Sequence, residues 1–312
     1  MSDPLLISGI HENYDIEINA EGLDKARGPA AVPLAPPEVW GSHVKSEFTF
    51  IQASKSGRLL LDGIKRDGNG RWVRIIPDHF FKNTSSTLYD HYCHADTHDV
   101  TRVVGGRSYA VELRFSPDRF FKGSYCQQSQ YRDETSDRGA APHEVLFHEL
   151  VHAYRYVSGK HPAHAALARG GLRFYDNAEE FFAILITNIF ISDPSTPITT
   201  GLRRDHWGHA ALDENLASSF GFFSCGAQAF TFIDRLCKDH RKLTSGLAEI
   251  KATFNPLRAY YCDPERARKL SQNNTAKTRD LIGKLPDTVL GDAARDLAAP
   301  LRILLNTASF SP

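Results

Sequence analysis

The chain has no surplus of charge: 37 Lys and Arg stand against 37 Asp and Glu in 312 residues. Without a net field there is no bulk attraction to nucleic acid or to an anionic membrane, and neither is expected as a partner. No apolar run reaches the roughly 18–20 residues that a bilayer crossing needs. The longest, FFAILITNIFI at 181–191, has the length of a buried helix and is interrupted by Thr187 and Asn188. The N-terminus lacks a basic region, and its apolar stretch is too short for a cleaved signal peptide. Synthesis in the cytoplasm is therefore expected, with any export by a route that removes no signal. The cysteines (Cys93, Cys126, Cys225, Cys237 and Cys262) are odd in number and include no C-x-x-C pair. Free thiols in a reducing compartment follow as the expectation. Internal repeats are absent.

What the chain does have is histidine, 14 in all, the commonest metal-ligating side chain. Two of them sit in LFHELVHAY, residues 146–154. On a helix, positions i and i+4 share a face, with Cβ atoms about 5–6 Å apart. His148 and His152 can thus offer two imidazoles to one cation. Glu149 points about 100° round the helix from His148, beside a metal rather than onto it. From there it can accept a proton from an attacking water and return it to a leaving amine. The H-E-x-x-H pattern encodes that division of labour.

The helical setting is well marked. Pro142 suits a first helical position, Val145, Leu146, Leu150, Val151 and Ala153 supply apolar faces, and Ser158-Gly159 ends the run. Catalytic zinc usually keeps three protein ligands and one open position. The short H-x-x-G-x-x-H continuation is absent, because AYRYVSGKHPAH follows His152. The third ligand is therefore expected from an acid on a later helix. YDNAEEFFAILITN, 175–188, places Glu179 and Glu180 at the head of an otherwise apolar helix. A carboxylate is expensive to bury there unless it is paired or coordinates metal. The two side chains point about 100° apart, so one ion is not expected to take both. Asp176 with Glu179 has capping-box spacing, and so does Asn177 with Glu180; capping alone does not choose between them.

The remaining organisation is read as follows. Residues 1–44, with ARGPAAVPLAPPEVWG at 26–41, are expected to be a disordered Pro/Ala-rich arm. Order is expected from near Phe48. SGRLLLDGI (56–64) fits a strand or a short helix, RWVRIIP (71–77) a strand, and TRVVGGRSYAVELRFSP (101–117) a strand, turn and strand. Residues 122–141 read as loop, and the chain from 200 onward as mainly helical, with LASSFGFFSCGAQAFTFIDRLCKDH and LGDAARDLAAPLRILLNTA its clearest segments. DHYCHADTHD at 90–99 offers His91, Cys93, His94 and His98 as ligands. Its spacing is loose and no remote partner presents itself, so a surface loop beside the cleft is the expectation.

The pairing of HELVH with NAEEFFA resembles the glutamate-zincins, the group that includes thermolysin, and especially toxin-type members such as anthrax lethal factor. EVLFHELVHAYRY also resembles effector metallopeptidases that bacterial pathogens inject into host cells. The likeness covers about 142–191. It implies a zincin-like fold and says nothing specific of 1–44 or 200–312; the fold expected for the chain is α+β, a small mixed sheet packed on the HExxH helix in a catalytic domain at 45–199, with a mainly helical part at 200–312 closing the cleft. It further implies one Zn2+ per chain, and a zinc metallopeptidase that cuts a specific protein substrate, a host protein if the chain is secreted or injected. The ligand of the family pattern immediately precedes Phe-Phe-Ala, which assigns Glu180 to the metal with His148 and His152, and leaves Glu179 to the helix terminus. Ile184 stands where that pattern carries another acid, so support for the metal site must come from elsewhere. Tyr175 is the first choice for stabilising the oxyanion, with His206 and His209 behind it. A substrate strand is expected to add to a sheet edge formed by 101–115. A housekeeping peptidase and a zinc-stapled, non-catalytic binding module are the alternatives; an intact Glu149 argues against the second, since a staple needs no base.

Overall fold

The computed structural model describes residues 14–20, 36–64, 72–77, 95–104, 107–120, 138–159, 175, 177–204, 211–226 and 228–283. The fold is mixed, of the α+β kind: a small four-stranded sheet with helices between its first two strands and after its last. The strands are β1 (Ile16–Ile18), β2 (Val73–Ile76), β3 (Asp96–Val104) and β4 (Arg107–Arg114), in the spatial order β1-β2-β4-β3. β1 and β2 run parallel, as do β2 and β4, while β3 is antiparallel to β4.

Alternation decides which face meets the core. Ile16, Ile18, Val73, Ile75, Val111 and Leu113 join the hydrophobic cluster. Between them Glu17, Arg74 and Glu112 lie in register on the opposite face. That row alternates in sign, and the Arg114 guanidinium donates to Glu112 at 3.0 and 3.1 Å.

Two elements lie inside the segment expected to be a disordered arm, and that expectation is corrected for the residues described. β1 is one. The other is α1, Pro37–Ala53. Proline at a first helical position starts a helix rather than breaking it, since its missing N–H would have had no partner there. Trp40, Val44, Phe48 and Ile51 then recur at helical spacing and are all buried. The Pro-rich composition hid this period. The choice left open at 56–64 falls to helix: α2, Lys55–Gly63, is capped by Ser54, whose side chain accepts from the Gly57 amide.

The expected edge is corrected too. Of residues 101–115, only 101–104 belong to the outer strand β3; β4 is interior, hydrogen-bonded on both sides. Pairing register put β3 outside, and an isolated hairpin pattern does not reveal which of its strands will find a third.

α3 (Pro142–Val157) carries the HExxH residues, and α4 (Ala178–Ser192) the third acid. Both begin and end within a residue or so of the expected bounds. α3 is buried almost throughout, packed against the sheet, α1, α2 and α4. Among the described C-terminal residues come α5 (Ala229–Asp239), α6 (Arg241–Ala248), α7 (Pro256–Cys262) and α8 (Pro264–Gly283). Their apolar faces join the same core: Phe181 of α4 stacks on Phe222 and meets Phe232, and Phe222 meets Phe254 edge-on. The loop expected at 122–141 is described only from 138, and the helical segment expected near 290–308 lies outside the described residues. Cys225, Cys237 and Cys262 are free thiols. Among the described residues no helix is long and apolar enough to cross a membrane.

Candidate metal centre

The first turn of α3 is held by Glu144. Its carboxylate accepts from the Ala141 amide at 3.0 Å, half of a capping box, and from the Thr200 amide and hydroxyl at 2.8 and 2.6 Å. One and two turns further on, His148 and His152 point the same way. Their Nε2 atoms stand 3.2 Å apart. α4 starts at Asn177, whose side chain accepts from the Glu180 amide at 3.0 Å. That cap orients the first turn so that Glu180 meets the histidines. Its Oε2 is 3.2 Å from His148 Nε2 and its Oε1 is 3.5 Å from His152 Nε2.

The expected ligand set, His148, His152 and Glu180, is thus gathered in space, and it could hold a metal ion. Four ligands at about 2.0–2.1 Å around a tetrahedral zinc stand about 3.3–3.4 Å from one another. The two Nε2 atoms stand 3.2 Å apart, and each meets a different Glu180 oxygen, at 3.2 and 3.5 Å, so the three side chains converge on one point. Two nitrogens and a carboxylate oxygen are a donor set of the catalytic-zinc type. By donor type the three residues could hold such an ion.

Electrostatics at the triad follow from burial and close charges. Burial, then the Arg203 cation, hold the His148 imidazole well below its ordinary value, so it is neutral at pH 7, as a ligand must be. Burial also pulls His152 down, but Glu180 outweighs it, helped by Glu149 and Glu179, and His152 is raised to about 9. Burial would lift Glu180, yet His152 and His148 hold it well below the carboxylate range. A cation here competes with the His152 proton, so uptake releases a proton.

Glu149 is buried beside the triad, and its Oε2 accepts from the Thr97 hydroxyl at 2.7 Å. Thr97 sits on β3, across from Leu113, and also donates to the Glu149 carbonyl at 3.2 Å. The outer strand of the sheet therefore touches the expected base directly. Nothing in a lone threonine advertises this role, and sequence reasoning passed over it.

Arg203 was missed as well. Its guanidinium donates to His148 Nδ1. Its backbone is pinned by Asn188 of α4, which donates to the Arg203 carbonyl at 2.8 Å and accepts from its amide at 3.0 Å. Its side chain passes so near Gly139 that a Cβ there would lie 2.5 Å from Arg203 Cδ, and φ at Gly139 is +66°. A metal-ligating histidine ordinarily donates its second N–H to an acceptor. Arginine cannot accept. With Nε2 given to a cation, the His148 ring must either leave that contact or give up its second proton.

The side chain that caps the described helix is Asn177, and both Glu179 oxygens accept from Arg155 at 2.6 Å. Asp176, the other half of the expected box, lies outside the described residues, as do His91, Cys93, His94, His206 and His209. His98 lies on β3 and pairs with Asp96 at 2.5 Å. Tyr175 is buried, its ring edge-on to Phe181 at 5.1 Å between centroids.

Comparisons of the chain with models of known protein families, with curated proteins and with solved structures found no match.

Proposed function

We propose that the chain is a zinc-dependent endopeptidase of the glutamate-zincin type, with His148, His152 and Glu180 as ligands and Glu149 as the base. The observation that carries the reading is the gathering of two imidazole nitrogens 3.2 Å apart with the Glu180 carboxylate, one oxygen 3.2 Å from His148 and the other 3.5 Å from His152, with a buried carboxylate, Glu149, next to it on the same helix. Zinc bound there supplies a Lewis acid for the scissile carbonyl and lowers the pKa of a water toward about 7. Glu149 takes the proton of the attacking water and delivers it to the leaving amine. Thr97 fixes the orientation of that carboxylate through Oε2. Tyr175 donates to the negative charge that develops on the carbonyl oxygen.

The substrate is a protein segment in extended form, adding to β3. Among the described residues no strand pairs with the outer side of β3, and Thr97 connects that strand to the base. The setting is that of a bacterial effector cutting a specific host protein; this part rests on the likeness of EVLFHELVHAYRY and NAEEFFA to injected metallopeptidases.

The test joins metal content to cleavage. Protein purified without added metal is analysed for zinc, and cell lysates treated with wild type or Glu149→Gln are compared for new protein N-termini. One zinc per chain in both proteins, and new termini from the wild type alone, are expected. Zinc in both with no new termini from either would make the zinc a staple in a binding module. No zinc before or after reconstitution sinks the reading altogether.

A further inference from the structure

We propose that Arg155 and Glu179 form a positioning pair that sets the reach of Glu180 toward the two histidines, an inference that rests on the metal-centre reading above. Arg155 stands on α3 three residues after His152, and Glu179 stands on α4 one residue before Glu180. The pair therefore links the two helices that supply the ligands, at the point where those ligands meet.

Its geometry is two-pronged. Arg155 Nε donates to Glu179 Oε2 and Nη2 donates to Oε1, each at 2.6 Å. A fork of this kind fixes direction as well as distance, which one hydrogen bond does not. The third dimension is set by Phe182, whose ring centroid lies 4.5 Å from the guanidinium carbon. Both partners are buried, Arg155 with 1% of its surface exposed.

Stability alone does not account for such a pair. Taking both charges out of water costs about as much as their attraction returns, and well-packed apolar residues often do as well or better. What the pair supplies is registry. Glu180 shares the first turn of α4 with Glu179, and the Asn177 cap makes that turn rigid. A slide or rotation of α4 against α3 would stretch the fork and carry the Glu180 carboxylate away from His148 and His152. Arg155 also binds both oxygens of the neighbouring acid, and among the described residues Glu180 is the acid gathered with the two histidines.

The test reads metal binding and needs no substrate. Zinc affinity is measured by competition with a chromophoric chelator, and the visible absorption of the Co2+-loaded protein reports ligand geometry. Arg155→Lys keeps the charge but loses the fork; Glu179→Gln keeps the shape but loses the charge. Each is expected to bind zinc about 10–100-fold more weakly, the usual effect of removing a group that orients a ligand, with a changed Co2+ band. The double variant Arg155→Met with Glu179→Leu replaces the pair by apolar packing. It is expected to unfold at or above the wild-type temperature in chelator and still bind zinc as weakly as the single variants. That combination separates positioning from mere stability, and it holds even where a single variant folds poorly. Folded variants with wild-type zinc affinity and an unchanged Co2+ spectrum would overturn the inference. A Glu179→Gln protein without zinc beside a zinc-loaded Glu180→Gln protein would overturn it differently, making Glu179 the ligand. A wild type that takes up no zinc overturns it together with the reading beneath it.

Discussion

A carboxylate that must accept a proton and return it works best when its orientation is held by something other than the substrate. Glu149 has such a holder in Thr97, whose hydroxyl donates to Oε2 at 2.7 Å. A hydrogen bond to a charged group contributes about 1.5–3 kcal/mol, which as a barrier corresponds to roughly 10–100-fold in rate. Thr97→Val keeps the shape and removes the donor. Its kcat on the identified substrate is predicted to fall by roughly that factor, with zinc content and KM nearly unchanged, and Thr97→Ser is predicted to recover most of the loss. A Val variant as fast as wild type would remove Thr97 from the machinery. The reason Thr97 was illegible in the sequence is plain at this scale. It lies 52 residues from Glu149, in a run where four potential ligands draw the eye. Arg203 is just as remote from His148, 55 residues away. The HExxH residues could be read because their partners are one helical turn off; a carboxylate in an apolar helix pointed to Glu179 and Glu180 alike, and only the family resemblance chose Glu180.

Elements were legible where a period ran unbroken. α3 and α4 stand where apolar spacing, Pro142 and the Ser158-Gly159 stop put them. The choice between Asp176 and Asn177 as the α4 cap was not legible, since both have an acid three residues on; in the structure Asn177 accepts from the Glu180 amide, while Glu179 accepts from the buried Arg155. How the elements are tied to each other was also hidden. Asp193, just past the end of α4, accepts from the Ser56 amide and hydroxyl at 2.8 and 2.7 Å and from the Ser195 amide and hydroxyl at 2.9 and 2.6 Å. It thereby fastens the end of α4 to the start of α2. Burial would raise its carboxyl, but the donors from Ser195 and Ser56 hold it below the usual value. A depressed acid stabilises the fold above its unfolded pKa of about 3.9, and the benefit is lost as pH falls through the folded value. Asp193→Asn is therefore predicted to cost about 1–3 kcal/mol at pH 7. In urea unfolding, the gap between wild type and variant should shrink as pH is lowered through 4 and below. A gap that stays constant from pH 7 to pH 3 would show that the charge is not what matters.

At the scale of the whole molecule, one hydrophobic cluster takes in residues from Ile16 to Ala267. The division into an arm, a catalytic domain and a C-terminal part does not appear in this core. Ile16 and Ile18 are buried in it as fully as the residues of α3. Burying an isoleucine contributes about 1.5–3 kcal/mol, so a chain lacking residues 1–20 is predicted to lose roughly 3–6 kcal/mol. Paired melting curves of full-length and shortened protein check this; equal melting temperatures would restore the arm. Composition misled here because three isolated residues of strand carry too little pattern to stand out, and their partner, β2, begins only at Val73.

That pairing also constrains the order in which the chain can assemble. β3 and β4 are neighbours in sequence and antiparallel, the kind of pair that closes within about 1–10 μs. β2 joins β4 only after a long loop is closed, and β1 has no sheet partner until β2 is in place. During synthesis β1 is made before its only neighbour in the described sheet, and it can pair once Val73–Ile76 has followed it. Until that stretch is made, Ile16–Ile18 is an apolar strand waiting for a neighbour, and the edge it forms is closed by a partner more than fifty residues further along the chain.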